Sequence, residues 1–119
     1  MKDAFELNCE KNNIKYKLFE TDAFQFDLTN IKEKINVYLY DGAHTAEAQY
    51  KALEYYYPIL ADEFIFMVDD YNSNQGGWKS LVVDPTQKAL VDLNLQVEHY
   101  VIKNPGDWWN GFYISLLKK

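Results

Sequence analysis

The 119-residue chain has one cysteine, Cys9. A lone thiol excludes an internal disulfide framework and suits a reducing cytosol. In its helical context it reads as a small buried apolar residue. Long hydrophobic runs are also missing. No apolar stretch is long enough to span a bilayer, and the N-terminus has no signal-peptide core, so no membrane partner is expected. Positive charge is scarce, with 12 basic against 18 acidic residues and a formal net charge of -6. Without a basic patch, nucleic acid is not an expected partner.

What is present points to a folded domain. Apolar residues make up 48% of the chain, which excludes disorder, and the length suits one compact domain spanning 1–119. Ten tyrosines could serve sugar stacking, but core and rim packing is their commoner use.

Residues 2–12 have a helical pattern, and Asn12-Asn13 punctuates it. Residues 14–20, "IKYKLFE", alternate apolar and polar like a half-buried strand. A loop, "TDAFQFDL", follows, and "LTNIKEK" allows a helical turn or two. "INVYLY" is continuously apolar, the pattern of a strand covered on both faces. From Thr45 the period changes. Ala46, Tyr50, Leu53, Tyr56 and Tyr57 fall on one helical face, and Pro58 stops it. "EFIFMV" is a second apolar strand. Strand, helix, strand of this kind predicts a βαβ unit with a parallel pair, hence an α/β fold. Asp84 and Pro85 predict the cap and first turn of a further helix to about Leu93. Residues 95–102 and 111–117 predict an antiparallel pair at the sheet edge.

Both apolar strands end in acid: Asp41 after the first, Asp69 and Asp70 after the second. Ligands of open α/β sheets bind beyond the carboxyl ends of the strands. Neighbouring strands lie about 4.8 Å apart, so these carboxylates can converge. Close carboxylates repel unless protonated or neutralised by a cation, and hard oxygen ligands suit Mg²⁺. The alternative is that the aspartates cap backbone amides at loop starts. His44, three residues after Asp41, is placed to act as a general base beside a metal-bound hydroxyl, or else to cap or pack on the helix start. His99 lies within a predicted strand and is assigned no chemistry.

The segments "FETDAFQF", "NVYLYDGAHTAEAQYKALEYYYPIL", "EFIFMVDDYN" and "WWNGFYISLLKK" together cover most of the chain. In order and spacing they resemble the C-terminal portion of a class I S-adenosylmethionine-dependent methyltransferase, of the small-molecule O-methyltransferase group with Asp-rich metal motifs. The resemblance implies a partial Rossmann-like sheet, mostly parallel, with a C-terminal antiparallel pair and helices on both faces. It implies that Asp22, Ala23 and Phe24 contact the adenine of S-adenosylmethionine. Asp41 would face both cofactor and metal, Asp69 and Asp70 would complete a Mg²⁺ site, and His44 would be the catalytic base. The second acid that the group often carries two residues after the first is Ala43 here. Its glycine-rich first loop and its ribose-binding acid have no counterpart among these residues. Of five glycines, none forms a Gly-x-Gly run after an N-terminal strand. The expectation is therefore a domain lacking its Gly-rich first strand region, with "NVYLY" left as a sheet edge.

The implied activity is methyl transfer to a small-molecule hydroxyl, assisted by a divalent metal, in the cytoplasm. Trp108, Trp109 and Tyr71 would wall the acceptor pocket or, equally, cover the core. Two other readings stay open. One is a non-catalytic fragment or subunit that pairs with an N-terminal complementing chain, or forms a homo-oligomer. The other is a metal-dependent hydrolase using the same carboxylates.

Overall fold

A computed structural model describes all residues 1–119. Four strands form one open mixed sheet. Strand β1 (Ile35–Tyr40) runs parallel to β2 (Leu60–Asp69). Strand β4 (Phe112–Lys118) is antiparallel both to β2 and to β3 (Gln96–Lys103), giving the order β1-β2-β4-β3. The expected parallel and antiparallel pairs are both formed. The sheet is mixed rather than mostly parallel, because β4 inserts antiparallel beside β2 and only one of the three pairings is parallel.

Helix α2 (Ala46–Tyr56) is the crossover between the parallel strands. Its N-cap is Thr45, whose hydroxyl accepts from the Ala48 amide at 3.2 Å. Glu47 in its first turn suits the helix dipole. Helix α3 (Asp84–Asp92) is entered through a π-helical turn at Lys79–Val83. Asp84 is accordingly not its cap. The preceding turn supplies the backbone acceptors, and the Asp84 side chain pairs with Lys79 at 2.5 Å.

The core lies on one face of the sheet. Tyr40, Phe64, Phe66, Val68, Tyr113 and Leu117 alternate inward and meet Ala52 and Leu53 of α2 and Ala89 and Leu90 of α3. Alternation sends the next residues to the other face. There Val37 and Leu39 are 55% and 52% exposed, and the cross-strand register aligns them with Ile65 and Met67. The expectation that "INVYLY" is covered on both faces, in a sheet with helices on both sides, is thus corrected. Both α2 and α3 pack on the same side, and nothing comparable covers the other.

A second correction concerns residues 14–20, which form no strand. A strand's backbone groups need a partner, and none of the sheet edges takes this segment up. It lies exposed on the surface, tied by the edge-to-face contact of Phe5 with Tyr16 and by the Lys2–Glu20 ion pair. Phe5 belongs to helix α1 (Lys2–Lys11), on which Cys9 is buried as its apolar reading requires.

The total accessible surface is 8016 Å². A folded monomer of 14.0 kDa exposes about 6,700 Å² by size scaling. The radius of gyration is 15.0 Å, against about 13.5 Å for a compact domain of this length. The surplus has a location: the uncovered sheet face and the unpaired N-terminal segment.

Buried phenols make the fold alkali-sensitive. Burial pushes Tyr71 up to about 12, and it raises Tyr38 and Tyr113 as well. An acid whose folded-state pKa is raised keeps its full contribution below the unfolded value, near 10, and loses it as pH climbs towards the folded value. Thermal unfolding followed by circular dichroism should therefore show a midpoint falling between pH 10 and 12. Tyr71→Phe should be less stable at neutral pH by about 1 kcal/mol, from loss of the Gln87 hydrogen bond. It should also show a shallower alkaline fall. An equal slope in both proteins would rule out Tyr71 as a source of the sensitivity.

Candidate metal centre and adjoining cleft

The parallel register sets Tyr40 beside Val68. The chain leaves β1 at Asp41 and β2 at Asp70 on the same edge of the sheet. Three donor atoms meet there, from Asp41, His44 and Asp70, all within 4.8 Å of one another. Asp41 is exposed, while His44 and Asp70 are half-buried. His44 Nε2 lies 3.2 Å from Asp70 Oδ2. Because Thr45 caps α2, the His44 ring is free to turn towards this edge. It packs on Trp78, ring centres 4.9 Å apart, and its Nδ1 is 3.3 Å from the Gln49 amide nitrogen.

Asp70 reaches the cluster through an unusual backbone state. Its φ is +51°, the left-handed region that few residues other than glycine, asparagine and aspartate enter easily. The Trp78 indole N–H donates to its carbonyl and holds the turn. Asp69 is oriented differently. Its Oδ1 accepts from the Asp70 amide at 2.9 Å and from the Trp108 indole at 3.3 Å. Asn72 donates to Asn104 and abuts Gly111, at the entry to β4 rather than at the cluster. Of the three acids singled out in the sequence, Asp41 and Asp70 thus converge and Asp69 stands aside. His44 takes the third position.

A cleft of about 370 Å³ opens beside β1, lined by Asp22, Ala23, Phe24, Tyr40, Gly42 and Ala43 with the first turns of α2. Asp22 uses one oxygen to accept from the Phe24 amide at 2.8 Å. Tyr56 donates to the Ala23 carbonyl at 2.6 Å and fastens this loop to α2. The loop "TDAF" and the residue after Asp41 thus share one cavity, although residues 14–20 make no strand to position them. Tyr71 is only 2% exposed and stacks on Tyr113 in the core, so it does not wall a pocket. Trp108 and Trp109 are 50% and 84% exposed, and Trp108 lies over Asp69. His99 sits on β3 beside Leu116, remote from these residues in register.

Two features escaped the sequence. Gln49 reads there as an ordinary helix residue, yet it is 1% exposed and touches both His44 and Thr86. A polar residue on the apolar face of α2 was the available signal. The other is Gly42. A Cβ there would fall 2.7 Å from the Tyr40 ring, whose hydroxyl donates to the Ala43 carbonyl at 3.0 Å. The glycine lets that ring fold back across the strand end.

No protein-family model matches this chain, and no curated protein matches it.

Gly42→Ala should push the Tyr40 ring off Ala43 and open the cleft. Overpacking of this kind costs about 1–3 kcal/mol. Urea unfolding should show the loss, and the amide resonances of residues 40–45 should shift while those of β4 hold still. Unchanged stability would mean that the Tyr40 ring swings aside without penalty.

Proposed function

We propose that this chain carries the metal- and nucleoside-facing part of an S-adenosylmethionine-dependent methyltransferase site that acts on a small-molecule hydroxyl. The observation that carries the reading is the meeting of Asp41, His44 and Asp70 at the carboxyl edge of a parallel strand pair, beside a cleft lined by Asp22, Ala23 and Phe24. A Rossmann-like ancestry of the β1-α2-β2 crossover is part of the same proposal.

The donor set fits a divalent cation. Atoms within 4.8 Å of one another can all reach an ion at about 2.0–2.6 Å, and the exposed mouth leaves positions for water or acceptor oxygens. Two carboxylates and one imidazole suit Mn²⁺ at least as well as Mg²⁺, since an imidazole is a softer ligand than oxygen. In this reading His44 would hold the cation through Nε2 instead of acting as the base, and the exposed Asp41 would pass the acceptor's proton to solvent. Asp22 would accept from an amino group on a purine, with Phe24, Ala23 and Tyr40 as an apolar floor. S-adenosylmethionine would supply an activated methyl group and the cation Lewis acidity.

A second reading is favoured by a separate observation. The bare sheet face, the open β1 edge and the surplus of about 1,300 Å² over size scaling suit a chain that works against another polypeptide. The cleft alone also holds few free polar groups, since Glu47 and Lys51 on its rim pair with each other at 2.7 Å. Each missing polar contact to the cofactor costs roughly 1–3 kcal/mol.

Calorimetric titration tests both readings. Mn²⁺ or Mg²⁺ should bind the wild-type chain, and Asp41→Asn and Asp70→Asn should each weaken binding at least tenfold. Asparagine tolerates the left-handed backbone, so the second change tests charge alone. Asp69→Asn should have a smaller effect. Equal losses in all three variants would point to general surface charge and remove the site. S-adenosylmethionine should bind the isolated 119-residue chain more weakly than micromolar. Micromolar binding abolished by Asp22→Ala would show the cofactor site complete and overturn the need for a partner polypeptide.

A further inference from the structure

We infer that Gln49 is a positioning residue that, together with Asp70, fixes the tautomer of His44, and that its side-chain amide must turn over for His44 to bind a metal through Nε2. The inference rests on the cation-site reading and deepens it. The Gln49 side chain is 1% exposed and Thr86 is fully buried, so their hydrogen bonds have no water to replace them. The Gln49 amide nitrogen faces His44 Nδ1 at 3.3 Å, and its oxygen accepts from the Thr86 hydroxyl at 3.3 Å. A carboxylate only accepts, so Asp70 at Nε2 calls for the proton there, and Nδ1 is left to accept from the Gln49 amide nitrogen. In the neutral ring the single proton then sits on Nε2 and points at Asp70 Oδ2, 3.2 Å away.

That tautomer hides the lone pair a cation would need at Nε2. Binding through Nε2 requires the proton on Nδ1, and Nδ1–H then requires an acceptor. A half-turn of the Gln49 amide supplies one, presenting its oxygen to Nδ1–H and its nitrogen to Thr86. The Thr86 hydroxyl can donate or accept, so it satisfies either orientation. The exchange needs no rotation of the imidazole, which packs on Trp78. Gln49 thereby couples the core of the helix pair to the ligand edge, in the way outer partners fix the ligating nitrogen of metal-bound histidines.

Long-range ¹H–¹⁵N NMR of the full chain reads directly which ring nitrogen carries a proton. Metal-free wild type should show His44 protonated on Nε2. Gln49→Glu presents only acceptors and should place a proton on Nδ1 before any metal is added. Saturating Zn²⁺, a diamagnetic probe, should move it to Nδ1 in wild type and shift the Gln49 side-chain NH₂ resonances. Gln49→Met keeps the bulk but can accept from Nδ1–H only feebly. It should leave the metal-free tautomer on Nε2 and weaken Zn²⁺ at least tenfold. A metal-free wild type already protonated on Nδ1, an Nδ1 without a proton in Gln49→Glu, or undiminished affinity in Gln49→Met would each overturn the inference. Failure of Zn²⁺ to bind wild type would remove the cation site and the coupling with it. The metal-free spectra would still show whether Gln49 sets the ring.

Discussion

The parallel pairing of β1 with β2 is the constraint from which the arrangement follows. A parallel pair needs a crossover, and an eleven-residue helix, α2, supplies it. The crossover must begin where β1 ends, which puts Asp41 and His44 on the carboxyl edge. Strand β2 ends on that same edge because it runs in the same direction, which brings Asp70 there. Had β2 run antiparallel, its acids would lie at the opposite end of the sheet from His44. The candidate site is thus a consequence of strand direction, and its members are neighbours although Asp41 and Asp70 lie far apart in sequence.

The same constraint explains what could be read from the residues. Two continuous apolar runs around a helical period make the parallel pair and its crossover legible. The alternating segments make the β3–β4 pair legible. Coverage was not legible, because a run such as "INVYLY" is equally apolar whether one face is packed or two. Val37 and Leu39 read as core and are half-exposed. Residues 14–20 alternate as a strand should, but alternation describes one strand and pairing needs two. Without a partner strand, period-2 patterning alone does not place them in the sheet.

The uncovered face gives the sheet a different character on each side. Towards α2 and α3, Leu53, Leu60, Phe64, Phe66, Val68 and Leu117 are at most 1% exposed, and burying side chains of this kind contributes about 1.5–3 kcal/mol each. Away from them, Val37, Leu39 and Ile65 contribute much less, because water still reaches them. The open β1 edge borders this face. An uncharged edge strand with free backbone groups favours pairing with another chain. A net charge of -6 works against pairing with a second copy through self-repulsion.

The consecutive aspartates show why the cation set could be narrowed only by the backbone. Successive residues of a strand point to opposite faces. Val68 points into the packed face, so Asp69 points away from it, towards the Trp108 indole. Asp70 therefore falls on the side of α2, where His44 is. Its positive φ ends the strand and turns the carboxylate onto Nε2. Two adjacent acids at a strand end cannot both serve one ligand unless the chain breaks its alternation between them. Here the break comes one residue late, at Asp70 itself, so the second acid is delivered to the cluster and the first is left to brace the turn through the Asp70 amide. The histidine fills the position that the first acid leaves open, with Nε2 at the edge and Nδ1 towards the buried Gln49.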